Sequence, residues 1–212
     1  MKLVDMTLRD FVLETASDAP APGGGSVAAA AAALSTALGH MVFALTHKKK
    51  KFLALDAETQ AQVTKDAEAL QKLQEKLLNL VDEDTKAFNA FMAALKMPKE
   101  TEEEQAKRTE AMDAAAVESL EIPRETARTT VQIFDHLQSI AKHGNKNAIS
   151  DAGVSAELAM AAIHGAILNV RINLPSIKDE KLQAEAKKEY EEIQKKADAG
   201  YAAVQAFVEE KL

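Results

Sequence analysis

The sequence predicts an all-α fold, a single-domain antiparallel bundle of six or seven helices, and three observations support this class. Alanine supplies 41 of the 212 residues, and it has the highest helix propensity of all residues. Aromatic residues make up only 4% of the chain, whereas strands are enriched in aromatic and β-branched residues. Apolar residues also recur at helical spacing through long segments. We therefore expect one domain over residues 1–212, with short connections between antiparallel neighbours.

The N-terminal part of the chain contains two predicted helices separated by a glycine-rich loop. Residues 7–16 form a short amphipathic helix that Thr7 can cap. Two prolines and three glycines between positions 20 and 25 exclude a helix, so residues 17–25 are predicted to form a structured loop. The next helix runs from Ser26 to about position 46. It is rich in alanine on every face, so neighbouring helices can approach it closely.

Five further helices are predicted in the rest of the chain. A 3.6-residue apolar repeat covers a long segment that ends before Pro98. The capping-box pattern of Thr101 and Glu104 opens the next helix, which we expect Pro123 to interrupt or kink. Gly144 marks a turn, and a last amphipathic helix closes the sequence. These helices are predicted over residues 56–95, 101–122, 124–142, 150–173 and 178–212.

Charge and cysteine content exclude several classes of function. The net charge of -7 and a pI near 5.3 argue against nucleic acid as a partner. The absence of cysteine excludes disulfides, cysteine-ligated zinc and a thiol nucleophile. No basic leader followed by an apolar core opens the chain, so we expect no signal peptide and a cytoplasmic protein. Residues 27–45 are apolar, but they include Ser35 and His40, and we interpret them as a buried core helix rather than a membrane span.

The first candidate site is the glycine loop, residues 22–26, which reads Pro-Gly-Gly-Gly-Ser at a predicted helix N-terminus. Glycine lets a backbone approach a ligand closely, and the free N–H groups of a first helical turn attract an anion. The loop matches neither a Walker A motif nor a dinucleotide fingerprint. The alternative is that it only joins two helices.

The second candidate is one face of the helix over residues 150–173. Steps of three and four residues place Asp151, Ser155, Asn169 and Asn173 on this face, around a centre of small residues. The two asparagines lie in an apolar segment, so their amides need hydrogen-bond partners. The alternative is a pair of interhelical hydrogen bonds that only fix the register of the bundle.

Charged residues and histidines supply the remaining candidates. Residues 48–51, the lysine run, are either a solvated surface or a binding site for a polyanion. Asp84 precedes Phe88 by one helical turn and is the carboxylate of residues 82–84 expected to face the core. The five histidines form no His-Glu-x-x-His pattern, so no metal site is predicted.

The glycine loop, the Ser150-Asp-Ala-Gly-Val segment and the Asn-Val-Arg-Ile-Asn-Leu segment from Asn169 resemble the cyclodeaminase/cyclohydrolase family. That family includes the cyclodeaminase domain of formiminotransferase-cyclodeaminase and stand-alone methenyltetrahydrofolate cyclohydrolases. The resemblance covers essentially the whole chain, including the lysine run and the Asp84-Thr-Lys-Ala-Phe segment. In the lysine run this sequence has Lys48 and Phe52 where the family pattern has a glycine and a tyrosine.

The resemblance implies a helical homodimer that acts on tetrahydrofolate or its polyglutamates and needs no metal or redox cofactor. The predicted reaction closes 5-formiminotetrahydrofolate to 5,10-methenyltetrahydrofolate with release of ammonia. The alternative is hydrolysis of the methenyl compound to 10-formyltetrahydrofolate. Both reactions pass through a tetrahedral carbon between N5 and N10. A second alternative is a non-catalytic helical oligomer that binds folate or a partner protein.

The resemblance also suggests a role for each candidate residue. The predicted acid/base is Asp151, with Asp84 second. The predicted substrate-binding residues serve different parts of the folate. Three asparagines orient the pterin or a water, the glycine loop takes a carboxylate or packs against the ligand, and two lysines bind the glutamate tail. The asparagines are Asn147, Asn169 and Asn173; the loop residues are Gly23, Gly24, Gly25 and Ser26; and the lysines are Lys49 and Lys50.

Overall fold

The computed structural model describes residues 2–212, and within this part of the chain it contains helices and no strands. Seven helices are two turns or longer, which confirms the predicted all-α bundle, and an eighth, α3, is a single turn. The α-helices are α1 (Leu8–Thr15), α2 (Gly24–Ala44), α3 (Lys50–Leu53), α4 (Ala57–Leu95), α5 (Glu102–Val131), α6 (Ile133–His143), α7 (Ile149–Asn173) and α8 (Glu180–Lys211).

Helix α2 lies at the centre of the bundle, packed against α4 and α7. Its alanines make this close approach possible, since Ala29 and Ala32 are fully buried. Two reciprocal hydrogen bonds of 2.7 Å join Ser35 on α2 and Ser155 on α7, each hydroxyl donating to the other residue's carbonyl. Near its N-terminus α2 lies beside Asn169, toward the other end of α7, so the two helices are antiparallel.

Helix α5 does not end at Pro123, and the predicted interruption there is wrong. The helix continues to Val131, and Gln132 separates it from α6. A proline has no N–H, so the carbonyl of Ser119, four residues earlier, lacks its helical partner. The Asn173 side chain on α7 donates to that carbonyl over 2.7 Å. Packing between α5 and α7 therefore satisfies the group that the proline leaves free, and the helix continues.

Two helical segments are long and apolar enough to cross a membrane by length and composition alone, Gly24–Ala44 and Lys146–Ser176. Within their most apolar windows, 44% and 50% of the residues are buried inside the fold. Both segments pack against other helices of the bundle, as a core helix does. The exposed residues of the two segments include large apolar side chains, among them Leu34, Leu168 and Ile172.

A buried carboxylate joins α4 to α6. Asp66 is only 4% exposed, and its two oxygens accept hydrogen bonds from Ser139 at 2.5 Å and from Gln62 at 3.1 Å. Nδ1 of His136 lies 2.9 Å from the same carboxylate. A buried carboxylate is tolerated only when donors surround it, so these contacts fix the position of α6 on α4.

We expect Asp66→Ala to lower the free energy of unfolding by about 2 kcal/mol, because it leaves the partly buried donors of His136 and Ser139 on α6 without their acceptor on α4. Asp135→Ala is the matched control, since Asp135 forms an exposed pair with Lys196, and such pairs contribute about 0–1 kcal/mol. Urea denaturation of both variants measures the difference. Equal losses for the two variants would contradict a structural role for Asp66.

Candidate active site

A cleft of about 370 Å³ opens between the glycine loop and helices α4, α5 and α7. Its walls combine polar side chains with two phenylalanines, as expected for a site that holds a partly apolar ligand. The residues that line it are Pro20, Ala21, Gly23, Gly24, Gly25, Asp84, Phe88, Phe91, Ala116, Ser119, Asn169, Ile172, Asn173 and Ser176.

Asp84 projects from α4 to the N-terminus of α2. Helix α2 begins at Gly24, two residues earlier than predicted, and its N-cap, Gly23, has no side chain to accept from the first turn. The Asp84 carboxylate takes that place: Oδ2 accepts from the backbone N–H of Ser26 at 2.8 Å and from its hydroxyl at 3.1 Å. Oδ1 accepts no hydrogen bond from the described residues, and it remains free to contact a ligand.

Two opposing effects act on the Asp84 carboxyl. Burial raises its pKa above the ordinary value of 3.8, and this effect is larger than the lowering by the two hydrogen bonds from Ser26. A carboxyl group with a raised pKa is a better proton acceptor and donor near neutral pH than an exposed one. Asp84 therefore combines a fixed position, a free oxygen and a raised pKa.

The glycines of the loop are needed for this geometry. A Cβ at position 25 would collide with the Asp84 carboxylate, at 2.5 Å from its Cγ. A Cβ at position 24 would lie 3.1 Å from Nδ2 of Asn169. At position 23, in contrast, the nearest atom would be the Pro20 carbonyl oxygen at 3.9 Å, which is ordinary contact. Gly25 therefore makes room for Asp84, and Gly24 for Asn169.

Both predicted asparagines of α7 reach the cleft, where they are partly buried, and the amide nitrogen of each has a hydrogen-bond partner. Asn169 donates to the carbonyl of Gly165 at 2.9 Å, within its own helix. Asn173 donates to the carbonyl of Ser119, as described above. These bonds use the amide nitrogens. The carboxamide oxygens accept no hydrogen bond from residues 2–212, which leaves two acceptors for a ligand that carries N–H groups.

The structure separates the predicted site residues into two groups. The cleft contains Gly23, Gly24, Gly25, Asp84, Asn169 and Asn173, with Ser26 directly behind Asp84. Asp151 lies in the first turn of α7, and the 18 residues between it and Asn169 span about 27 Å of helix. Asn147, Lys49 and Lys50 lie at that same far end, where the Asn145 N–H donates to Thr46 beyond α2. Within one chain, the first-ranked acid/base candidate and the lysines are therefore outside the cleft.

Sequence reasoning did not select several residues of the cleft, including two phenylalanines and a serine. Phe88 and Phe91 were included only in the apolar repeat of α4, although Phe88 follows Asp84 by one turn. Ser119 was not considered. Its Oγ is buried and has no hydrogen-bond partner in the described part of the chain. Its position four residues before Pro123 indicates an unusual local environment, which is the one sequence feature that points to it.

We expect Ser119→Ala to weaken substrate binding about three- to tenfold, the value of one hydrogen bond to a ligand, because the buried hydroxyl is available for such a bond. The melting temperature should stay the same or rise slightly, since the variant removes an unsatisfied polar group. Thr109→Ala, an exposed change on the same helix, is the control. Unchanged KM in Ser119→Ala would show that the hydroxyl does not contact the substrate.

The described part of the chain is thus an all-helical protein with a partly buried carboxylate and two carboxamides in one cleft. Residues 7–192 match the profile of the formiminotransferase-cyclodeaminase family. The chain is 36% identical to formimidoyltransferase-cyclodeaminase of Gallus gallus over 99% of its own length and 38% of the length of that protein. It is 36% identical to methenyltetrahydrofolate cyclohydrolase of Methylorubrum extorquens over 91% of both chains.

A solved structure agrees with these matches. The formiminotetrahydrofolate cyclodeaminase of Thermotoga maritima superposes with a TM-score of 0.84 at 29% identity, covering 97% of this chain and 96% of that one. The chain therefore belongs to the formiminotransferase-cyclodeaminase family, which confirms the family predicted from the sequence and places the chain among enzymes. It spans about two fifths of the Gallus gallus relative.

Proposed function

We propose that this chain is a tetrahydrofolate one-carbon enzyme that closes 5-formiminotetrahydrofolate to 5,10-methenyltetrahydrofolate and releases ammonia. The Asp84 carboxyl is the observation that carries this proposal. It is held by Ser26 and has one oxygen free in a cleft that also contains two carboxamides. The names of the Thermotoga maritima and Methylorubrum extorquens relatives supply the substrate class.

The reaction requires one proton to move between two nitrogens. N10 attacks the carbon of the protonated formimino group, whose C=N double bond becomes single, and Asp84 accepts the proton that N10 loses as the new C–N10 bond forms. The carbon is then tetrahedral and bonded to N5, N10 and an amino group. Asp84 returns the proton to that amino nitrogen, its C–N bond breaks, and ammonia leaves with the methenyl cation bridging N5 and N10. A single carboxyl group with a raised pKa can perform both transfers.

The other residues of the cleft hold the substrate. A pterin is a flat ring with N–H donors along one edge, and the oxygens of Asn169 and Asn173 can accept from such an edge. Phe88 and Phe91 offer apolar surface to the ring faces. Gly24 and Gly25 keep the α2 backbone close to this surface, because neither has a Cβ.

Hydrolysis of 5,10-methenyltetrahydrofolate is the second candidate, and one observation favours it. The Methylorubrum extorquens cyclohydrolase matches this chain over 91% of its own length. In that reaction Asp84 would accept a proton from the attacking water. The same carboxyl would then protonate N5 as the C–N5 bond breaks, while the hydroxyl on the tetrahedral carbon loses its proton to solvent and becomes the formyl C=O of 10-formyltetrahydrofolate. The geometry of the cleft serves both reactions.

Two assays on the purified protein distinguish the candidates. The first follows methenyltetrahydrofolate absorbance as it appears from 5-formiminotetrahydrofolate, with ammonia measured in parallel. The second follows loss of the same absorbance without a formimino donor. Appearance with stoichiometric ammonia supports the cyclodeaminase, and enzyme-dependent loss alone supports the cyclohydrolase. Folate binding without either change would support the non-catalytic oligomer and reject both reactions.

A further inference from the structure

The Ser26 hydroxyl lies within hydrogen-bonding distance of three oxygen atoms, although it has only one proton to donate. Its Oγ is 2.8 Å from the carbonyl oxygen of Val81, 3.1 Å from Oδ2 of Asp84 and 3.2 Å from Oγ1 of Thr85. A hydroxyl donates one hydrogen bond and accepts up to two. The Asp84 carboxyl and the Val81 carbonyl therefore compete for one proton. The Thr85 hydroxyl can donate to Ser26 in either case.

Ser26 acts on the cleft only through Asp84. It is 0% exposed, and it is not among the residues that line the cleft. Its backbone N–H donates to Oδ2 of Asp84 over 2.8 Å, so the carboxyl keeps one partner whichever way the hydroxyl points. Rotation about the Cβ–Oγ bond is then enough to move the hydroxyl proton from one acceptor to the other, and the backbone stays in place.

The two protonation states of Asp84 favour different positions of that proton. An ionised carboxylate is the stronger acceptor, so Ser26 donates to Oδ2. When Oδ2 carries a proton, it becomes the donor and Ser26 Oγ its acceptor, and the Ser26 hydroxyl turns to the Val81 carbonyl. That carbonyl lies inside α4, where it accepts one helical N–H and has a second lone pair free. Both states therefore leave each of these protons in a hydrogen bond.

No second titratable group faces Asp84 in the cleft. Among the cleft-lining residues of the loop, α4, α5 and α7, Asp84 alone has a side chain that titrates. The neighbouring carboxylates of α4 are held elsewhere, since Asp82 accepts the Leu3 N–H at 2.6 Å and Glu83 pairs with Lys86. Burial raises the pKa of Asp84, and the hydroxyl and the N–H of Ser26 lower it, the hydroxyl more strongly.

We propose that Ser26 is a positioning residue whose hydroxyl switches from the Asp84 carboxylate to the Val81 carbonyl when Asp84 takes up a proton, and back when Asp84 releases it. The switch stabilises the carboxylate that accepts a proton from the substrate, and it frees the carboxyl that returns the proton. Its use in catalysis rests on the proposed function. The switch itself is a property of the protein without substrate.

Titration of Asp84 in the substrate-free protein tests the switch. Carboxyl ¹³C NMR of aspartate-labelled protein follows the titration, and Asp84→Asn identifies the signal. We expect Ser26→Ala to raise the pKa of Asp84 by about 0.5 to 1 pH unit, because it removes a hydrogen bond to the charged form. Ser26→Cys, whose thiol is a weak donor, should raise it less.

Ser35→Ala is the matched control for the titration. It removes another fully buried hydroxyl of α2 that donates to a carbonyl, and it should leave the pKa of Asp84 unchanged. A pKa that is also unchanged in Ser26→Ala would overturn the proposal.

Stability shows whether the hydroxyl moves. Urea denaturation compares the parent with Ser26→Ala at one pH below and one pH above the Asp84 pKa found by NMR. A switching hydroxyl has an acceptor at both, so the variant should be less stable at both, and more so above the pKa. A loss only above the pKa would place the hydroxyl on Asp84 alone. An equal loss at both would place it on Val81 alone. Either result would overturn the switch.

Kinetics connect the switch to the reaction. In Ser26→Ala the acid limb of kcat/KM should move up by the amount that NMR gives for Asp84, with KM within about twofold of the parent, because Ser26 does not reach the substrate. A raised KM with an unmoved acid limb would identify Ser26 as a substrate-binding residue and overturn its positioning role. If the parent protein turns over neither folate, the proposed function fails, while NMR and stability still decide the switch.

Discussion

Asp84→Asn is expected to lower kcat by about 100- to 10,000-fold, the usual loss when a general acid/base is removed. Asparagine has the same shape and can still accept the Ser26 N–H through its carboxamide oxygen, so the N-terminus of α2 keeps its partner. It cannot carry the proton from N10 to the leaving nitrogen. Steady-state kinetics on 5-formiminotetrahydrofolate and on the methenyl compound measure the loss for either reaction.

Stability separates this catalytic role from a structural one. Because burial raises the pKa of Asp84 in the folded state, ionisation of Asp84 destabilises the fold as pH rises from the unfolded-state pKa toward the folded one. At neutral pH the parent carries this penalty and Asp84→Asn does not. We therefore expect a melting temperature equal to or above that of the parent. A large drop in melting temperature with kcat within a few-fold of the parent would identify Asp84 as a helix cap only.

The pH dependence of kcat/KM gives a second test of the catalytic role of Asp84. The acid limb of kcat/KM should lie above the range of an ordinary aspartate, because the reactive carboxyl must be ionised to accept a proton. That limb should disappear in Asp84→Asn. Glu83→Gln is the matched control, since it removes a neighbouring carboxylate that pairs with Lys86 on the surface. Its rate and its pH profile should match those of the parent.

The sequence predicted the fold well because helix formation here depends on local features. The alanine content, the Thr101–Glu104 capping box and the Thr7 cap all act within a few residues, and the structure contains each cap as predicted. The predicted interruption at Pro123 was wrong because the hydrogen bond that lets the helix continue comes from a distant part of the chain. Asn173, 50 residues later, supplies the missing hydrogen bond.

The site was only partly predictable for the same reason. The glycine loop and the two asparagines could be found because their residue types are unusual in apolar helices. Their grouping with Asp84 depends on how α4 packs against α2, which no local pattern encodes. Asp151 ranked above Asp84 because it shares a helix face with Asn169, yet the same face extends about 27 Å between the two residues. Residues on one face of a long helix need not share a site.

The exposed side of α2 shows a further limit of sequence reasoning. The alanine-rich stretch over residues 27–45 was interpreted as a buried core helix, and about half of it is buried. The exposed half carries large apolar side chains at seven-residue spacing, and this pattern is hidden in a sequence that is apolar on every face. The buried and exposed sides of α2 differ only in whether other helices of the bundle pack against them. Only the structure could show which side of α2 remains uncovered.

Gly25→Ala is expected to cause a loss of activity comparable to that of Asp84→Asn, at least about 100-fold, together with a loss of stability. The added Cβ would occupy the space of the Asp84 carboxylate, so the carboxylate or the α2 backbone must shift. Overpacking of this kind costs about 1–3 kcal/mol, although alanine in a helix recovers up to about 1 kcal/mol relative to glycine. Gly23→Ala is the matched control, since its Cβ meets only ordinary contact and Gly23 has an extended backbone.

A double-mutant cycle shows whether Gly25 acts through Asp84. If the glycine matters only because it makes room for the carboxylate, Gly25→Ala/Asp84→Asn should be little slower than either single variant, because both remove the same proton transfer. Losses that multiply would mean that Gly25 contributes independently, by direct contact between the α2 backbone and the substrate. Gly23→Ala combined with Asp84→Asn should be no slower than Asp84→Asn alone. Non-additivity at position 25 but not at position 23 would show that the glycine loop positions the Asp84 carboxyl. It would exclude the alternative that the loop only connects two helices.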